Sequence, residues 1–205
     1  MNIIKNPTKH QIDEIIAQLK DGKIIVYPTD TIYGIGANIY DTQAVRKVYN
    51  IKQRDHTKPL SIIVHNTDQI KQITKTNKTI DKILETYLPG AYTFILPKKD
   101  IISDTITANK KTVGIRIPKN KITYNLTQDF PITTTSANIS NMPTPRSICE
   151  ISKYFKDEIS TYIDMGISQS SEPSTIVDLT NKYPKIIRQS KTDNKIEDIL
   201  DIKLR

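Results

Sequence analysis

Apolar positions recur along this chain with two different spacings, and their alternation sets the first expectation about its fold. In residues 8–20, Ile12, Ile15, Ile16 and Leu19 fall on one helical face, with Thr8 placed as a cap and Gly22 just past the end. Residues 41–52 put Ala44, Val45, Val48 and Tyr49 on one face and read as a second helix. Further helices are expected over 67–73, 79–87, 121–128, 147–155 and 194–200. Residues 24–27 form a short apolar strand stopped by Pro28, and strands are expected again at 60–64, 92–96, 113–117, 132–135, 175–179 and 185–188. Mixed spacing of this kind predicts an α/β fold, a twisted sheet with helices packed on it, whose ligand sites lie in the loops beyond strand ends. No long linker or repeat interrupts the pattern. A chain of 205 residues with 37% hydrophobic content can bury one good core, so a single domain spanning 1–205 is expected.

Composition narrows the class. The formal charge of +8 favours polyanionic company such as RNA or nucleotide phosphates. The lysines are scattered singly along helices without a dense basic block, so a solvated surface explains them more simply than a dedicated RNA groove. A single cysteine, Cys149, excludes an internal disulfide framework and a four-Cys metal site. Lying in a helical stretch, it is expected to be a buried small apolar residue rather than a nucleophile. Charge appears early at the N-terminus and no apolar run approaches the roughly 18 residues of a membrane span, so a cytoplasmic protein without membrane association is expected. His10, His56 and His65 are scattered and expected at the surface, and no carboxylate pair or His cluster suggests a metal site built by the protein.

Arginine and glycine carry more information than the bulk charge. There are six Arg against 24 Lys, and Arg54, Arg116 and Arg188 stand in short segments with polar loop signals. Gly34, Gly36, Gly90 and Gly114 fall in or beside such segments. A chain that otherwise uses Lys for its cations places Arg where a flat five-donor fork is needed, as in gripping carboxylate or phosphate. An anion pocket assembled from distant strand ends follows. The loop over 27–36 offers Thr29, Asp30, Thr31 and Tyr33 in one short turn, with Gly34 and Gly36 permitting close backbone approach. Lys52, Arg54 and Lys58 gather three cations between a helix end and a strand. Residues 133–138 run from a β-branched strand into Ser136 and Asn138, followed by Asn141, Thr144 and a helix start near Ser147. Hydroxyls and an amide beyond a strand end suit hydrogen bonding to phosphate or ribose. Ser136 has no partners resembling a triad, so a covalent nucleophile is not expected.

Taken together and in this order, these segments resemble the YrdC-like threonylcarbamoyl-AMP synthase family. Residues 27–36 match its YPT-x-T-x-YG-x-G, 52–60 its K-x-R…PL, and 88–93 its PGP-x-T; the likeness continues through 113–116, Ser136-Ala137-Asn138, 173–178 and Ile187-Arg188, and so covers 24–190. The resemblance implies a twisted mixed β-sheet with flanking helices around a concave, positively charged cavity. It implies conversion of L-threonine, bicarbonate (or carbon dioxide) and ATP to threonylcarbamoyl-AMP and pyrophosphate, with Mg²⁺ arriving on the ATP. The product would serve the tRNA-modifying threonylcarbamoyl transferase machinery that acts on adenosine 37. The resemblance assigns Thr31, Arg116, Thr134 and Ser174 to threonine. It assigns Lys52, Arg54, Lys58, Thr112, Ser136, Asn138, Thr144 and Arg188 to ATP, with Lys52 and Arg54 also stabilising charge during the reaction.

Four positions depart from the family pattern: Lys58 for Asn, Ala91 for Pro, and Asn141 and Ser190 for Gly. None removes a charged ligand, and Asn141 is tolerable because Asn also visits left-handed backbone. The extra C-terminal domain of longer members has no counterpart in the pattern, which suggests the short form. Two rivals stand beside the synthase: a non-catalytic module binding double-stranded RNA or tRNA directly through phosphates, and a carbamoyl-transferring relative of hydrogenase-maturation proteins. The second is disfavoured because no acyl-phosphatase-like segment or Cys-rich zinc module is present.

Overall fold

The computed structural model describes residues 1–168, 170–191 and 195–204. In chain order these form β1 (Asn2–Lys5), α1 (Lys9–Lys20), β2 (Ile25–Tyr27), β3 (Gly34–Gly36), α2 (Thr42–Ile51), β4 (Ser61–Ile63), α3 (Thr67–Ile73) and α4 (Lys78–Tyr87). There follow β5 (Tyr92–Pro97), α5 (Asp104–Thr107), β6 (Thr112–Arg116), α6 (Lys121–Leu126), β7 (Ile132–Ser136), α7 (Ile148–Phe155), β8 (Thr161–Asp164), β9 (Thr175–Asp178) and β10 (Lys185–Arg188). Polar caps decide where the helices begin. Thr8 and Gln11 form a reciprocal capping box on α1, and the Asp41 carboxylate accepts from the first free amides of α2. Asn66 and Asn77 cap α3 and α4 in the same way.

The strands join into one mixed sheet in the order β1-β8-β2-β3-β7-β4-β6-β5-β9-β10. Its centre is a ladder of short strands, with β7 antiparallel to β4, β4 parallel to β6, and β6 antiparallel to β5. The larger core covers one face, where Val26, Ile62, Phe94 and Ile115 meet Val45 and Val48 of α2 and Ile151 and Phe155 of α7. A smaller core lies on the opposite face, where Ile12, Ile15 and Leu19 of α1 and Ile122 and Leu126 of α6 cover Ile25, Tyr27, Ile63 and Ile132.

Several expectations are corrected. The stretch over 27–36 is not all loop, because Gly34–Gly36 pairs with β2 on one side and β7 on the other. Its glycines serve this packing: a Cβ at Gly36 would lie 2.0 Å from the Thr133 carbonyl oxygen. Strands β1 and β8 and the single turn α5 were also not expected from the pattern. Of the helix expected over 194–200, residue 194 lies outside the described residues and Ile196–Ile199 is a 3₁₀ turn. Cys149 is exposed rather than buried, because Ile148, Ile151 and Phe155 define the inner stripe of α7 and position 149 is rotated about 100° from its neighbour Ile148. Asn141 does take left-handed backbone, with φ of 67°. His10 and His56 are exposed, whereas His65 is half-buried against the Tyr124 ring. No helix among the described residues is long and apolar enough to cross a membrane.

Candidate active site

Strand alternation places the site. On β6, Val113 and Ile115 point into the larger core, so Thr112, Gly114 and Arg116 share the opposite face. Register carries that face across the sheet: Thr134 of β7 stands opposite Ser61 of β4, Ser61 opposite Gly114, and Gly114 opposite Ile95 of β5. Helices α1 and α6 cover the apolar part of this face, while Ser61, Gly114, Thr134 and Ser136 remain partly exposed beyond them. Gly114 keeps the floor flat, since a Cβ there would lie 2.7 Å from Ser61 Oγ.

Arg116 marks one end of this face. Its guanidinium is buried, donating from Nη2 to Asp30 Oδ1 at 2.5 Å and from Nη1 to Thr31 Oγ1 at 2.9 Å. Thr29 Oγ1 stiffens the turn that carries both partners, donating to the Ile32 carbonyl at 2.7 Å and accepting from the Thr31 amide at 3.0 Å. The Tyr27 hydroxyl donates to the Thr133 carbonyl at 3.1 Å beneath them. Burial lowers the Arg116 pKa and the Asp30 carboxylate opposes that shift. Arg116 Nε is buried and has no hydrogen-bond partner among the described residues. Ser174 lies nearby in structure, its hydroxyl 2.8 Å from that of Thr93, with Arg188 donating twice to the Ser174 carbonyl. Burial, reinforced by the positive charge of Arg116, lowers the Arg188 pKa.

Lys52 marks the other end. As the C-cap of α2 it is 1% exposed, and its ammonium donates to the Ser136 carbonyl at 2.5 Å, the Asn138 carbonyl at 2.6 Å and Asn138 Oδ1 at 3.3 Å. An ammonium has three hydrogens, and three acceptors surround it. Ser136 Oγ donates to Asn138 Oδ1 at 2.6 Å, and Asn138 Nδ2 donates to the Met142 carbonyl at 2.6 Å, closing a knot at the end of β7. Burial, with the Arg54 charge adding to it, pushes the Lys52 ammonium down to about 7. Arg54 is half-buried and donates to the carbonyls of Lys58 and Pro59.

The fold thus brings Thr31, Arg116, Ser174 and Arg188 together at one end, and Lys52, Arg54, Ser136 and Asn138 at the other, with Thr134 on the floor between. Thr112 shares the floor two residues beyond Gly114, and Thr144 lies half-buried in the segment after β7. The Lys58 side chain is exposed; its contribution to the ordered structure is the carbonyl that receives Arg54. Sequence reasoning named Asp30 only as part of a decorated turn and did not single out Ser61 or Thr93. The alternation of β4 and β5 could have found the latter two, whereas nothing local to the turn points to Arg116 as the partner of Asp30.

The protein is thus an α/β protein whose mixed sheet keeps a hydroxyl-rich part of one face uncovered, with a buried cation at each end. The chain belongs to the Sua5/YciO/YrdC family, whose profile, described as "Telomere recombination", matches residues 17–190. A protein of Methanocaldococcus jannaschii is 42% identical over 181 residues, which are 88% of this chain and 86% of its own. The threonylcarbamoyl-AMP synthase of Pyrococcus abyssi is 32% identical over 83% of this chain, which spans only 51% of that protein. The crystal structure of P. abyssi Sua5 complexed with L-threonine superposes with a TM-score of 0.91 at 28% identity, covering 100% of this chain and 61% of the other.

Proposed function

We propose that this chain is a threonylcarbamoyl-AMP synthase, a nucleotidyltransferase acting as a single domain over 1–205 in the cytoplasm, where it supplies the tRNA-threonylcarbamoylating machinery. The observation that carries the reading is the buried Arg116, whose Nε has no partner among the described residues, placed beside the threonine-rich turn in a family with a threonine-bound relative. The substrate carboxylate would lie on Arg116, with Thr31, Thr134 and Ser174 supplying hydroxyl or amide partners to its other polar atoms. The triphosphate would run along the face toward Ser136, Asn138, Thr144 and Thr112, with Arg54, Lys58 and Arg188 neutralising charge. Lys52 holds the loop that carries Ser136 and Asn138 and, in its protonated form, adds positive charge beside it.

The reaction asks for orientation and charge neutralisation, not a protein nucleophile. The neutral threonine amine attacks carbon dioxide or a bicarbonate-derived species to give a carbamate. A carbamate oxygen then attacks the α-phosphorus of ATP, and pyrophosphate leaves. Mg²⁺ would enter on the ATP phosphates and offset their charge. The donor set fits that division of labour: hydroxyls and cations face the nucleotide path, while the Asp30 carboxylate is committed to Arg116.

Pyrophosphate release with ATP and bicarbonate, supplying threonine, serine or valine in turn, tests the reading. A site that hydrogen-bonds the substrate hydroxyl leaves its own groups unpaired when that hydroxyl is missing, whereas a missing methyl costs only about 1 to 3 kcal/mol. Valine is therefore expected to be rejected more severely than serine. Release that is independent of the amino acid, or absent with all three while tRNA binds tightly, would replace the synthase with an RNA-binding module.

A further inference from the structure

Arg116 has five N–H donors, and the way they are used fixes which of them remain for a ligand. Asp30 takes one hydrogen of Nη2 and Thr31 one of Nη1, while Nε is buried without a partner among the described residues. Nη1 and Nη2 each carry a second hydrogen that these two bonds do not use, so the fork keeps donors for a carboxylate, which binds a guanidinium best through parallel bonds. An incoming carboxylate therefore has no need to displace Asp30. Asp30 itself is firmly held: its side chain is 11% exposed, and its turn is pinned by the Thr29 hydroxyl bonds to Ile32 and Thr31. It also balances charge, since Arg188 lies close enough to Arg116 to be disfavoured by it.

We propose that Asp30 is a positioning residue for the amino-acid substrate, acting through Arg116: its carboxylate sets the plane of the guanidinium so that the remaining N–H donors are presented to the substrate carboxylate. The inference rests on the synthase reading and deepens it, because it assigns the orientation of the clamp to a residue that does not itself touch the substrate. A carboxylate that merely occupied the substrate's place would have the opposite effect on affinity, since its removal would tighten threonine binding.

The test is isothermal titration of threonine into the full chain saturated with a non-hydrolysable ATP analogue, for the wild type, Asp30→Asn, Asp30→Ala and Asp30→Glu. Loss of one charge-assisted bond to Arg116 is expected to raise the threonine Kd about tenfold in Asp30→Asn and further in Asp30→Ala. Asp30→Glu should recover most of the loss, and the affinity for the ATP analogue should stay within about twofold throughout, a split that a generally loosened fold would not give. Unchanged or tightened threonine binding in Asp30→Asn and Asp30→Ala overturns the proposal, as does a parallel loss of ATP-analogue and threonine affinity in every variant. A wild-type protein that binds the ATP analogue but no threonine defeats the synthase reading itself, and this inference with it; that result is distinct from failure in the variants alone.

Discussion

Two buried cations bound the polar face, and they are used in opposite ways. Lys52 directs its ammonium at three oxygens, all from Ser136 and Asn138, which leaves it no free hydrogen for a phosphate in this arrangement. Arg116 makes one bond to Asp30 and one to Thr31, and its Nε has no partner among the described residues. The geometry of the head groups explains the division. A compact ammonium is readily enclosed by carbonyls at the end of a strand, whereas a planar fork can be fixed by some of its donors and still offer the rest. Burial and positive charge are thus poor guides to which cation meets a ligand. The count of unsatisfied donors is the better one.

The contrast breaks most sharply at Lys52. Lys52→Met should lower stability by on the order of 3 kcal/mol in urea unfolding, because the Ser136 and Asn138 carbonyls and Asn138 Oδ1 each lose the ammonium as a donor. Arg116→Lys should leave stability less affected and act on substrate instead. Its threonine KM is expected to rise about a hundredfold while ATP affinity changes by less than about threefold, since a point charge cannot reproduce a two-bond edge. Equal threonine dependence in variant and wild type would remove Arg116 from the clamp. Arg54→Ala should weaken ATP binding by about 2 kcal/mol, read by titration calorimetry with a non-hydrolysable analogue. Arg188→Ala offers a sharper version of the same test. Because it lies beside Arg116 and Ser174, it should weaken ATP and threonine together, each by about tenfold.

The smallest effect is in the pH dependence of stability. Burial and Arg54 hold the folded Lys52 at about 7, below its ordinary 10.5. Between those values the unfolded chain binds more protons than the folded one, so stability from this group rises with pH across the window and is flat below it. The urea midpoint of wild type minus that of Lys52→Met should therefore grow between pH 7 and pH 9. A constant difference would mean that the surrounding oxygens keep Lys52 charged throughout.

Helical stretches were the most legible part of this chain. The segment 67–73 was read at its observed bounds, and the buried set of α2, Ala44, Val45, Val48 and Tyr49, was read in full, because amphipathic spacing and side-chain caps are both local signals. Strand β3 was not legible, since two of its three residues are glycines and its pairing depends on β2 and β7 arriving from either side. Cys149 was misread for a related reason. Its flanks predicted a helix correctly, but which stripe of that helix faces inward depends on where the sheet lies.

For the site, the sequence by itself determined the participants: the scarce arginines, the hydroxyl-rich turn and the Ser-Ala-Asn segment, all of them short runs whose chemistry is written in residue types. Tertiary structure decided their roles. Asp30 and Arg116 are 86 residues apart, Lys52 and Asn138 likewise 86, and Arg188 and Ser174 are joined through a carbonyl that any residue would present. Whether a donor is consumed or left open follows from which acceptors the packed sheet brings within hydrogen-bond reach, and a backbone carbonyl, common to every residue, leaves no trace in the order of side chains.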